Sequence, residues 1–159
     1  MMERPDQRWF SERLRQFLEE RHPSQPRYRR MIERRSRLAF EGYSQSLEAG
    51  VPVDQAIRVA DRILFRGLLF SPYDTVHLIL ETDYPAIPQS QRQTVALKLT
   101  RICSPIFERT PLGDDYAQRP EFRLLKERLR RAIRRWIDEN GVPGYQSPER
   151  PSPLAKHFK

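Results

Sequence analysis

Cysteine, lysine and long apolar runs are what this chain has least of, and each scarcity excludes something. The single cysteine, Cys103, rules out an intrachain disulfide. No apolar run approaches the roughly 20 residues that a membrane-crossing helix needs. The opening residues Met1-Met2-Glu3-Arg4-Pro5-Asp6 lack the apolar core of a signal peptide. A cytoplasmic protein with no membrane contact is therefore expected. No internal repeat, heptad run or strand of strict alternation stands out. Neither a phosphate-cradling glycine loop nor a serine elbow is present. Lysine occurs only at Lys98, Lys126, Lys156 and Lys159, so arginine supplies nearly all the positive charge.

That charge is the most conspicuous thing the chain does have. The net charge is +8 and the pI about 10.1. Residues 1–37 hold 11 arginines against 6 acids, and residues 114–159 hold 11 basic against 7 acidic side chains. The middle is close to neutral. A basic surface attracts phosphate, in nucleic acid or at a membrane. A GC-rich genome also favours arginine over lysine, so the excess alone does not select a partner.

At 159 residues, one domain with its own core is the default. Apolar residues recur at three- and four-residue steps along most of it, the mark of amphipathic helices. Trp9, Phe10, Leu14, Phe17 and Leu18 predict a helix over 8–21, which His22-Pro23 ends. Pro26 opens a second, striped by Tyr28, Ile32, Ala39 and Tyr43, with Gly50 as its C-cap. A third begins at 52–54, with Val53, Ile57, Ala60, Ile63, Leu64 and Leu68 on its apolar face. Ser71-Pro72-Tyr73-Asp74 reads as N-cap, first helical residue and capping-box acid of a fourth, which carries Val76, Ile79 and Leu80. A fifth runs over 90–103 with Val95, Leu99 and Ile102 inward. Pro105 ends or kinks it, leaving Ile106 and Phe107 in a short covering turn. Pro120 opens the last helix, whose face is Phe122, Leu125, Leu129, Ala132, Ile133 and Trp136, and Asn140-Gly141 stops it. The expected fold is all-α: a compact bundle of about six helices over residues 1–141, with a flexible, disordered Pro-rich tail over 142–159.

Five separated strings carry a resemblance. They are Leu18-Glu19-Glu20-Arg21-His22-Pro23, the stretch from Gly67 to Thr75, that from Pro111 to Tyr116, Pro120-Glu121-Phe122, and Trp136-Ile137-Asp138-Glu139-Asn140-Gly141. Together they resemble a Bacteroidetes family of small all-helical proteins, domain-of-unknown-function family 1896, over roughly residues 9–141. The resemblance implies association with conjugative transposons and other mobile elements. It brings no activity, cofactor or catalytic residue. This chain departs from the family's acidic tendency in being rich in arginine.

Several residues carry candidate chemistry. Arg35 falls inside the apolar stripe of the second helix, where a guanidinium must be paired. Asp74, Asp114 and Asp115 are its candidate partners, and an inter-helix strut is favoured over an anion site. Arg27, Arg30, Arg34 and Arg37 on the second helix, with Arg123, Arg130, Arg131 and Arg134 on the last, are candidates for tracking a nucleic-acid backbone. Four-residue ion pairs on a solvated face explain the last helix at least as well, with Glu127–Arg131, Arg134–Asp138 and Arg135–Glu139 as the expected pairs. Asp74, His77 and Glu81 share one side of the fourth helix, but a capping acid and a solvated His–Glu pair outweigh a metal site there. Cys103 reads as a small buried hydrophobe.

The sequence thus supports a non-enzymatic binding or accessory protein, without catalytic residues, cofactor or metal. Its partner is nucleic acid or a protein of the mobile element. If a protein, the Trp9-Phe10 helix or the Pro-rich tail is the contact surface. Oligomeric state is left open.

Overall fold

The computed structural model describes residues 4–23 and 29–146. Among these residues there are seven α-helices, one short 3-10 turn and no strand, an all-α fold. The helices are α1 (Gln7–Arg21), α2 (Arg29–Glu48), α3 (Val53–Leu64), α4 (Pro72–Asp83), α5 (Gln89–Ile102), α6 (Ser104–Glu108) and α7 (Glu121–Asn140). They gather into two compact units where the sequence suggests a single domain. Unit 1 runs to Ser71 and takes back the loop Leu112–Ala117; unit 2 comprises Pro72–Pro111 and the residues from Gln118 on.

In unit 1, Asp6 caps α1, its carboxylate accepting the Trp9 N–H at 2.8 Å. Phe10, Leu14 and Leu18 of α1 then fall on one face and meet Ile32, Ala39 and Tyr43 of α2 and Ala56, Ala60 and Leu64 of α3. The two alanines let α3 lie close on α2. Gly42 does the same from the other side: a Cβ there would stand 2.7 Å from Ile63 Cδ1. Tight packing of this kind makes each buried Leu or Phe worth roughly 1.5–3 kcal/mol of transfer free energy. Val53, expected inward, is instead 53% exposed, because the α3 seam runs through Ala56, one turn on and rotated from the predicted stripe. Leu68 is buried but lies beyond the end of α3.

In unit 2, Pro72 is the first residue of α4, as its fixed φ favours. The buried residues are Val76, Ile79 and Leu80 of α4, Val95, Ala96 and Leu99 of α5, Phe107 of α6, and Leu125, Leu129, Ile133 and Ile137 of α7. Ile102, expected inward, is 45% exposed; Cys103 takes the buried place beside it. Pro105 lies in the first turn of α6 and so opens a short helix after the α5 stop. The α7 seam steps by fours to Ile137, leaving Trp136 half-buried beneath Lys98, whose Nζ lies 6.0 Å from the ring centroid.

The expected tail boundary at 142 needs correction. Val142 is buried and pairs with Tyr145 across a turn. The Tyr145 ring stands edge-on to Tyr84 at 5.9 Å, and Gly144 sits against Pro88. Burial of Val142 and the two-tyrosine contact hold this segment on unit 2. The rest of the expected tail, with Arg150, Lys156, His157 and Lys159, lies outside the described residues, as do Pro26, Arg27 and Tyr28.

Candidate functional site: a braced turn and an arginine-lined groove

The chain leaving α3 must reverse before Ser71, and nearly every polar group of that turn is engaged from outside it. Gly67 takes φ +78, the left-handed region that a Cβ penalises. Asp114 accepts the Gly67 N–H at 2.8 Å and the Leu69 N–H at 3.0 Å, one on each carboxylate oxygen. On the carbonyl side, Arg35 donates through Nη1 to Leu64 at 3.1 Å and to Arg66 at 2.5 Å. His22 Nε2 lies 2.7 Å from the Leu68 carbonyl; a carbonyl only accepts, so that nitrogen carries the hydrogen. Arg21 donates to the Leu69 carbonyl at 2.7 Å, and the Ser71 hydroxyl donates to the Arg21 carbonyl. Phe70 meets Tyr116 edge-on at 5.5 Å, adding an apolar contact to the same loop.

Arg35 is therefore a strut, but one that grips backbone carbonyls. Burial is the largest influence on its guanidinium and lowers its pKa; the Asp114 charge opposes this, while Arg34 and Arg66 push the same way as burial. Asp114 thus serves the turn twice, through its two amide bonds and through its charge. Asp115 follows it as an exposed neighbour in the loop, and Asp74 belongs to the first turn of α4 in unit 2.

Beside this turn lies an open groove of about 1080 Å³ between α2 and α3. Met31, Ile63 and Phe65 line it as partly buried apolar groups, and Leu38 and Leu69 stand 39% and 46% exposed. Arg30, Arg34, Arg62 and Arg66, all exposed, stand around it. Two acids also line it, and both are engaged. Asp114 holds the turn. Asp61 accepts from Arg13 at 2.9 Å, and Arg13 is itself laid over the Trp9 ring at 4.5 Å. Burial raises the Asp61 pKa against the pull of Arg13, and its second carboxylate oxygen is buried without a hydrogen bond. The four groove arginines have no acidic partner among the described residues.

The sequence pattern of the family described as Domain of unknown function (DUF1896) matches residues 3–142. The chain belongs to this family. Its fold is similar to the crystal structure of protein PG0816 from Porphyromonas gingivalis, with a TM-score of 0.78 and 27% identity, covering 86% of this chain and 94% of that one. None of the curated proteins matches it.

In this member of the family, the arginines named from the sequence divide. Arg30 and Arg34 border the unit 1 groove; Arg37 is exposed on α2, and Arg27 lies outside the described residues. Arg123, Arg130, Arg131 and Arg134 are exposed on α7 in unit 2. Of these, Arg130 pairs with Asp83 at 3.1 Å, and Arg123 approaches Glu127 at 3.9 Å. Arg134 acts electrostatically on Tyr84, alongside Asp138. Sequence reasoning placed Glu127 with Arg131; in the structure it faces Arg123, one turn the other way. Arg62 and Arg66, two of the four groove arginines, were missed. Their signal was only their position near the Gly67 turn, whose proximity to α2 no local pattern encodes.

Asp74, His77 and Glu81 do share a shallow face of unit 2 with Tyr73, and His77 Nδ1 lies 3.1 Å from Glu81. No three-residue group able to hold a metal is found among the described residues. Cys103 is buried, and burial pushes its thiol pKa up to about 11. A thiol so placed is a poor nucleophile at neutral pH. No helix among the described residues is long and apolar enough to cross a membrane. The Trp9-Phe10 surface is not an apolar patch: Phe10 is fully buried, and Trp9 is covered by Arg13.

Proposed function

We propose that this protein is a non-enzymatic binding or accessory protein of a mobile genetic element, which holds a negatively charged partner at the unit 1 groove. The observation that carries this is the groove itself. Four arginines without acidic partners among the described residues surround a concave surface whose two acids are already engaged. Uncompensated positive charge around a cleft concentrates anions there. The chemistry-bearing residues point the same way. Asp114 and His22 are spent on backbone, and Cys103 is sealed in the core. The mobile-element setting comes from the family resemblance.

Nucleic acid and an acidic protein segment both satisfy this charge. The α7 arginines support the nucleic-acid alternative less, since Arg130 and Arg123 already face carboxylates. Fluorescence anisotropy with labelled duplex DNA, single-stranded DNA and poly-glutamate, each at several salt concentrations, tests the proposal. Binding to at least one of them, weakening with salt and lost in Arg30→Glu/Arg34→Glu, is the expected result. No binding to any of the three at low salt overturns it.

A further inference from the structure

The groove is not merely positive. Leu38 and Leu69 stand exposed between the arginines, over the partly buried Met31 and Ile63. A phosphate backbone offers nothing to aliphatic side chains, and stacked bases seek aromatic rings rather than leucines; the aromatic residue lining the groove, Phe65, is already packed against Phe17 at 4.6 Å. An amphipathic helix offers both complements at once: an apolar stripe for the leucines and flanking carboxylates for the arginines. The volume, about 1080 Å³, lies just above the ~300–1,000 Å³ range typical of small-molecule clefts. One occupant from within the chain is disfavoured by charge. Residues 147–159 carry Arg150, Lys156 and Lys159 against the single acid Glu149, so they are repelled by the same arginines.

Resting on the binding function proposed above, we infer that the groove between α2 and α3 is a docking site for an acidic amphipathic helix of a partner protein. Its apolar stripe lies on Leu38 and Leu69, and its carboxylates meet Arg30, Arg34, Arg62 and Arg66. Arg35 also lines the groove, with its Nη1 committed to the Leu64 and Arg66 carbonyls. The crowding of Arg34 and Arg66 upon Arg35 is the kind of like-charge repulsion that an incoming carboxylate relieves.

The test uses the full chain and two labelled synthetic peptides of about 18 residues, long enough for roughly five helical turns. Both are built from leucine and glutamate in identical proportions. One places leucine at three- and four-residue steps, and the other scrambles the order. The amphipathic peptide is expected to bind at least about tenfold more tightly than the scramble, a difference of about 1.4 kcal/mol. Leu38→Ser/Leu69→Ser should abolish that preference while keeping the salt-dependent binding of poly-glutamate. Arg34→Glu/Arg66→Glu should weaken both. Each variant is checked by far-UV circular dichroism, and the comparison of peptides on the unmodified chain needs no variant at all. Equal binding of the two peptides overturns the inference and leaves the broader binding function standing. DNA binding without peptide binding does the same and makes nucleic acid the partner. Failure of every anion at low salt removes both.

Discussion

Arginine does different work in the two units. In unit 2 the α7 arginines meet acids: Arg130 is paired with Asp83, and Arg123 approaches Glu127. In unit 1 the groove arginines have no acidic partner among the described residues, and of the two acids lining the groove, Asp61 is held by Arg13 and Asp114 by the amides of the Gly67 turn. Arg35 is of a third kind, holding carbonyls from a half-buried position. One residue type thus serves as surface counter-ion, uncompensated rim and backbone brace. Its neighbours decide which, since an exposed ion pair contributes little while a donor to unsatisfied backbone contributes more.

The comparison breaks most readily at the braced turn. Asp114→Ala removes the acceptor of two backbone N–H groups and the charge facing Arg35. It should lower unfolding free energy by about 2–3 kcal/mol in urea denaturation. An effect no larger than that of the unit 2 pair would mean the turn is solvated rather than braced. Gly67→Ala should cost about 1–2 kcal/mol, all of it from the positive φ, since no atom stands near the added Cβ. Asp83→Ala, which frees Arg130, should cost less than about 1 kcal/mol. Arg34→Ala should stay within about 0.5 kcal/mol and show its effect only in anion binding. A large stability loss there would make Arg34 part of the structure rather than of the groove.

The last prediction concerns pH and belongs to unit 2. Burial raises the Cys103 pKa in the folded chain to about 11, against 9.0 for the free thiol. Its contribution to stability is therefore fully present below pH 9 and lost as pH rises toward 11, because the unfolded chain releases that proton first. Melting temperature should fall over this window more steeply in the parent than in Cys103→Ala. Iodoacetamide should label Cys103 slowly at neutral pH and quickly in urea. Fast labelling of the folded chain would contradict its burial.

The helices were legible because their signals are local. Pro72, Gly50 and Gly141 punctuate the chain, and apolar residues at three- and four-residue steps mark the faces between them. What periodicity could not settle was the rotation of a face by one position. Val53 and Ile102 have the right hydrophobicity, but Ala56 and Cys103 are the residues that face inward. Trp9 and Phe10 also read as a contact surface from the sequence, whereas in the fold Phe10 lies within the unit 1 core and Arg13 lies over the Trp9 ring.

By itself the sequence determined an all-helical chain, its helix boundaries to within a few residues, its family and its arginine excess. These follow from backbone sterics, side-chain period and composition, which act over a few neighbouring residues. Only the tertiary structure decided that Arg35 grips carbonyls, that Asp114 crosses some 45 residues of chain to hold the Gly67 turn, and that Arg62 and Arg66 join Arg30 and Arg34 around one groove. A charge acquires its role from the groups packed against it, and those arrive from distant parts of the chain.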